Sequence, residues 1–162
     1  MGTICLASLK GGVGKTSIAI NVAHAFARRG CRTLLLDLDP TAHATHYFEP
    51  NVSGLVEENE ATSLAKVFLG LRDSDPEYYC QCVAEQCAEG QLGLIHTVRS
   101  NLDLVPSSAE LRYFYWGRGA RTYCSLFAHF INELKNEYDH IVIDTSPDFN
   151  VLLRNAVAVA DL

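Results

Sequence analysis

The stretch Ser8-Leu-Lys-Gly-Gly-Val-Gly-Lys-Thr-Ser17, SLKGGVGKTS, decides the fold. An ordinary phosphate-binding loop reads G-x-x-x-x-G-K-[ST]. Here two lysines, Lys10 and Lys15, bracket three glycines. The run follows a short apolar segment rich in strand formers, TICLASL over residues 3–9, and opens a helical pattern. Strand, glycine loop, helix is the context that turns a motif match into a phosphate site. Gly11, Gly12 and Gly14 let the main chain approach an anion closely. Successive N–H groups across Gly11, Gly12, Val13, Gly14, Lys15, Thr16 and Ser17 then form a concave nest at the positive end of the helix. Lys15 points its ammonium at the outer phosphates, Thr16 offers its hydroxyl to Mg²⁺, and Ser17 hydrogen-bonds a phosphate oxygen further in. One lysine is enough for that chemistry, so Lys10 needs another explanation.

Working outward, residues 16–29 carry Ile18, Val22 and Phe26 with Ala19, Ala23 and Ala27, a helical spacing. Arg28, Arg29 and Gly30 suit a helix end, with basic side chains at the negative pole and glycine just beyond. TLLLDLD over residues 33–39 reads as a second strand, apolar on both faces as parallel sheets require. The first forty residues are thus a βαβ unit whose crossover should be right-handed. Further on, NLDLVP (101–106) and HIVIDTSP (140–147) read as a third and a fourth strand. Helices are expected over 62–69, 76–89, 109–116, 122–137 and 150–160, the one over 122–137 with Leu126, Phe130 and Leu134 on one side. The fold class is α/β of the P-loop NTPase type, a mainly parallel sheet flanked by helices, in a single domain over residues 1–162.

Composition agrees with a globular domain: of 162 residues, 48% are hydrophobic and 20% charged. The net charge of −6 is uneven. Residues 1–50 carry five basic against three acidic side chains, residues 51–110 three against ten, and residues 111–162 five against six. The acidic middle reads as a solvated face and argues against a nucleic-acid surface there. No secretory leader and no apolar run long enough to span a bilayer is visible, so the expected location is the cytoplasm, with reduced cysteines. Cys80, Cys82 and Cys87 have C-x-C-x4-C spacing, which is not a standard zinc pattern, and ordinary thiols on or near a helix are the favoured reading.

Two more segments bear on the phosphate loop. Asp144 ends an apolar strand, the usual place for a carboxylate that holds Mg²⁺ through water. Asp37 and Asp39 end the second strand. Ligands of open parallel sheets sit beyond the carboxyl ends of the strands. The loop, Asp37 with Asp39, and Asp144 therefore converge on one edge. A single aspartate after a strand is more often a turn or cap residue, but three segments together favour a site.

KGGVGKTS resembles the deviant Walker A motif of the ParA/MinD ATPases, whose mark is the early lysine. RRGCRTLLLDLDPTAHAT is similar to the family's second strand and first switch, usually D-x-D-P-Q-G-N-A-T. NLDLVPSSAEL looks like its strand leading into a helix. YDHIVIDTSPDFNVLLRNAVAVADL looks like its Walker B strand, second switch and next helix. The likeness covers nearly the whole chain except about residues 50–95, and it is closer to the ParA partition type than to MinD. It implies a slow, partner-stimulated ATPase that dimerises on ATP and positions plasmid, chromosome or other cargo. Lys10 is implied to cross the dimer interface to the partner's nucleotide. A cation supplied in this way elsewhere contributes roughly 10³–10⁵ in rate. Lys15 and Thr16 are implied to bind phosphate and Mg²⁺, Asp39 to orient the attacking water, and Asp37 and Asp144 to support Mg²⁺ or its waters.

The chain also departs from the pattern. Gln-Gly-Asn of the first switch is replaced by Thr41-Ala42-His43, and the second switch reads Asp144-Thr-Ser-Pro-Asp148. Asp148 near phosphates would be a like charge, so it is expected to point away or be neutralised. Family members continue beyond Leu162 into parts that carry adenine contacts and, in ParA, DNA-binding surface. The chain therefore reads as incomplete relative to that fold, with the loop-bearing strand left as an exposed edge. Non-specific DNA binding is expected of a segment outside this sequence, and no membrane contact is indicated. Other readings are a MinD-like or cellulose-synthesis-type membrane regulator and a non-hydrolysing nucleotide-binding module. An iron-protein-like reductase is disfavoured, since residues 144–155 hold no cysteine.

Overall fold

The computed structural model describes residues 2–48, 64–65, 93–114 and 120–162. Its centre is a five-stranded sheet of β1 (Gly2–Leu6), β2 (Thr33–Asp37), β3 (His96–Arg99), β4 (Leu102–Val105) and β5 (His140–Asp144) in the order β1-β5-β2-β4-β3. Four strands run parallel, and β3 pairs antiparallel with β4 at the edge. The register sets Leu6 beside Asp144, Asp144 beside Asp37, and Leu36 beside Val105. The carboxyl ends of the parallel strands are therefore level, and the loops that follow them meet on one edge.

Period-two alternation divides each apolar strand between two cores. Leu35 and Val142 face α1 (Lys15–Arg28), while Leu34, Leu36, Ile141 and Ile143 face α3 (Ala120–Leu134) and α4 (Val151–Val159). A sheet covered on both faces needs apolar residues at consecutive positions, and all five residues of β2 are buried. The helix α1 approaches on Ala19, Ala23 and Ala27 with Ile20, so its inward stripe is largely of small residues. Ile18, one residue before that stripe, is 49% exposed. Val22 and Phe26 pack at its margin, half-buried. Arg29 caps α1, and Gly30 follows at a φ of 83°. On α3 the inward residues are Phe127, Phe130, Ile131 and Leu134, and the Leu126 side chain lies outside the described residues.

Several boundaries differ from the sequence expectation. The first strand stops at Leu6 and is half-buried, leaving Leu9 64% exposed in the loop. The third and fourth expected strands shorten to β4 and β5. The segment after β4 is a 3-10 helix, Ala109–Phe114, rather than an α-helix, and residues 115 and 116 of the expected element lie outside the described residues. The strand β3 was not anticipated. Its residues His-Thr-Val-Arg place only Val98 inward, a pattern too polar and too short to stand out. It joins β4 through Ser100 and Asn101, the latter at a φ of 59°, which asparagine tolerates. The helices expected over 62–69 and 76–89 lie outside the described residues, except for buried, helical Leu64 and Ala65. The cysteine cluster lies outside them too. The strand β1 is at the sheet edge as anticipated, but its free side is not bare. Asp161 N–H donates to Thr3 O at 2.8 Å, Cys5 N–H to Leu162 O at 3.0 Å, and Thr3 N–H to an Asp161 carboxylate oxygen at 2.8 Å.

Candidate functional site

The loop between β1 and α1 forms the wall of an open cleft of about 620 Å³, lined by Gly11 to Ser17, Ile20, Asp39, Thr41, His43, Tyr47 and Pro147. That volume is within the usual range for small-molecule sites. Gly12 and Gly14 take φ of 72° and 86°, angles that a side chain would strain. Gly14 is the N-cap of α1 and no side chain caps the helix, so its first N–H groups remain available to an anion.

Asp39, with 8% of its surface exposed, sits across the cleft from this loop. One carboxylate oxygen, Oδ1, accepts from Thr41 N–H at 2.9 Å and from the Thr41 hydroxyl at 2.7 Å. Its carbonyl accepts from Ser107 Oγ at 2.6 Å and from Ala42 N–H at 2.8 Å. Ala42 takes a φ of 55°, which for a residue with a Cβ costs about 1–2 kcal/mol. The backbone thus keeps the left-handed step at the position where the family pattern has glycine. The short helix α2 (His43–Phe48) begins at the next residue.

Asp144 is fully buried at the end of β5. It faces the Thr16 hydroxyl and Lys15, yet neither of its oxygens has a hydrogen bond of ordinary geometry. Burial raises its pKa, Thr16 opposes that rise, the Asp39 charge adds to it, and Lys15 draws it down. Two unsatisfied buried carboxylate oxygens beside a threonine hydroxyl are a donor set that fits Mg²⁺.

Asp37 is different. It is fully buried, and its carboxylate is taken up by the chain itself. One oxygen accepts from Asp39 N–H at 3.1 Å, and the other from Thr45 N–H at 2.9 Å and the Thr45 hydroxyl at 2.8 Å. Burial pushes its pKa up to about 7, against the two Thr45 bonds, with a small further rise from Asp144. Asp37 does not line the cleft. Lys10 is exposed, its N–H held by Ser8 Oγ at 3.2 Å, and it does not line the cleft of its own chain either. Asp148 is exposed and is not among the residues that line the cleft.

Four residues at this edge were given no role in the sequence reading, although Thr41 and His43 stood out as departures from the family pattern. Thr45, Ser107, Thr41 and His43 bind one another or the two aspartates of β2 and its following loop. Ser and Thr carry no strong sequence signal, because their usual place is a solvated turn. His43 could have been marked as a titratable residue close behind D-x-D-P.

The whole chain, residues 1–162, matches the AAA domain family. It is 31% identical over 158 residues to the chromosome partitioning protein ParA of Myxococcus xanthus, covering 98% of this chain and 49% of that protein. It is 34% identical over 160 residues to the chromosome-partitioning ATPase Soj of Thermus thermophilus, covering 98% and 51%. A crystal structure of a putative plasmid partition protein from Borrelia burgdorferi bound to AMPPNP superposes with a TM-score of 0.77 at 29% identity, covering 99% of this chain and 60% of that one. The chain spans about half the length of the curated relatives it matches. With the double-lysine glycine loop, the D-x-D-P segment and the buried strand-end aspartate on one edge of a mainly parallel sheet, the chain belongs to the ParA/MinD family of deviant Walker A P-loop ATPases, on its ParA side.

Proposed function

We propose that residues 1–162 form one Mg²⁺-dependent ATPase domain that dimerises on ATP and serves the partition of plasmid, chromosome or comparable cargo. The observation that carries this reading is the pairing of the glycine loop with Asp144. A nest of free N–H groups lies beside a buried carboxylate whose oxygens lack partners. Thr16 and Asp144 are the residues that would hold Mg²⁺, which when bound would offset phosphate charge and satisfy the carboxylate. Lys15 and the loop N–H groups bind and orient the triphosphate. Asp39 orients the attacking water with the carboxylate oxygen that Thr41 leaves free. Asp37, by its bonds to Thr45 and Asp39, is a positioning residue for the first switch, and any support it gives Mg²⁺ would pass through water.

The outward position of Lys10 supports a role in a neighbouring subunit's site, where its charge would stabilise the transition state for phosphoryl transfer. The family resemblance adds that turnover is slow and is raised by a partner protein. The test combines sizing with turnover. ATP with Mg²⁺, but not ADP, should shift the chain from monomer to dimer. Asp39→Ala should bind ATP and not turn it over. Lys10→Ala should lose dimer closure or hydrolysis while retaining ADP binding. A chain that binds no nucleotide, or a Lys10→Ala variant indistinguishable from wild type in both assays, would refute the reading.

A further inference from the structure

The first switch contains a hydrogen-bonded chain of three side chains. His43 Nδ1 lies 2.9 Å from Thr41 Oγ1, and Thr41 Oγ1 lies 2.7 Å from Asp39 Oδ1. Direction follows from chemistry. An ionised carboxylate only accepts, and the threonine hydroxyl has one proton. At 2.7 Å from a charged acceptor, that proton belongs on the Asp39 side. The hydroxyl then presents a lone pair to the imidazole, so Nδ1 must be the donor. The neutral ring is therefore the Nδ1–H tautomer, the less common one for free histidine, and its Nε2 is left without a proton.

We propose that His43 is a positioning residue for Asp39, acting through the Thr41 hydroxyl. This rests on the reading of Asp39 as the group that orients water. Thr41 gives both of its donors to Oδ1, so Oδ1 is occupied. Oδ2 has no partner among the described residues and is the oxygen available to water. Without His43 the Thr41 hydroxyl loses the second of its two partners and can swing away, loosening the carboxylate. Loosening a group that must be held to fractions of an ångström slows chemistry more than binding.

The family pattern has glutamine and asparagine where this chain has Thr41 and His43. The hydroxyl-and-imidazole relay to Asp39 thus belongs to this chain's own residues.

The experiment has two arms on the full chain. Long-range ¹H–¹⁵N correlation of the nucleotide-free protein should show neutral His43 as Nδ1–H, and Thr41→Val should remove that preference. Both residues are exposed, so the variants should fold. In turnover, His43→Asn and Thr41→Val should lower kcat about tenfold or more. Their affinity for a fluorescent ATP analogue should stay within about twofold, since neither residue supplies the phosphate nest. A neutral His43 protonated on Nε2 overturns the proposal whatever the turnover, and so does a His43→Asn variant that turns ATP over at the wild-type rate. A wild-type chain that shows the Nδ1–H tautomer but hydrolyses no ATP overturns the proposed ATPase function and with it the role toward water.

Discussion

At the scale of single residues, Thr45 joins three segments. Its hydroxyl donates to Asp37 and accepts from Ser107 N–H at 2.9 Å, while its own N–H also reaches Asp37. The strand β2, the first switch and the segment after β4 meet at one oxygen atom. Thr45→Val keeps the shape and deletes the hydroxyl, orphaning a buried N–H and taking one of three bonds from a buried carboxylate. Each such loss costs about 1–3 kcal/mol, so urea denaturation should show the variant destabilised by about 2–4 kcal/mol. Thr45→Ser keeps the hydroxyl and should stay within about 1.5 kcal/mol of wild type. Cys5 provides a chemical test of the same edge. Burial pushes its thiol up to about 11, with a further rise from the Asp144 charge. The thiolate is the reactive form. Iodoacetamide at pH 8 should therefore leave Cys5 unmodified in the native protein and label it after unfolding, as read by peptide mass spectrometry. Ready native labelling would mean that β1 opens from Asp144.

At the scale of elements, α1 lies close to the sheet because its inward face is Ala19, Ala23 and Ala27. Fully buried Ala23 leaves no room for a larger side chain. Ala23→Leu should destabilise by about 1–3 kcal/mol through overpacking, measured as a drop in the denaturation midpoint. It should also weaken nucleotide binding, since α1 carries the loop. The cap of α4 is a second case: Asn150 accepts from Leu153 N–H at 2.9 Å and donates to Ser146 Oγ at 3.0 Å. Asn150→Ala should cost about 1–2 kcal/mol by the same measurement. These elements also show what the sequence could reveal. LLL of β2 and IVI of β5 were legible because both of their faces are buried, which leaves an uninterrupted apolar run. The orientation of α1 was not legible because alanines and larger residues share the same period, and only docking decides that the small stripe turns inward and Ile18 outward. The edge strand β3 has one inward residue and so no readable alternation. In the site, the glycine loop and the three aspartates were legible because each has a fixed offset from a strand end. That Asp37 faces inward to Thr45 was not, since a hydrogen-bond partner eight residues away leaves no periodic trace.

At the scale of the whole molecule, buried titratable groups act on folding in opposite directions as pH changes. Burial lowers the pKa of His24 and His96, so the folded state disfavours their charged forms. Their contribution to stability is lost as pH falls through the unfolded imidazole value. Asp37 has the opposite sign. Its folded pKa is raised from 3.8 to about 7, so the native state holds a proton that the unfolded chain has released. That contribution is fully present below the unfolded value and is lost as pH rises through about 7. Between pH 4 and 7 the two slopes oppose each other, and the wild-type curve should be flatter than either alone. Asp37→Asn separates them. The amide carbonyl can still accept from Thr45, but the NH₂ would face Asp39 N–H, so the variant starts from a lower stability. The difference that matters is therefore the slope. The advantage of wild type over Asp37→Asn, from urea curves in the absence of nucleotide, should shrink as pH rises from 5 to 8, by at most about 1.4 kcal/mol per pH unit. The variant alone should gain stability over that range as its histidines discharge. A wild-type advantage that grows with pH would mean that the three hydrogen bonds to Asp37 outweigh its burial and that the carboxylate is ionised throughout.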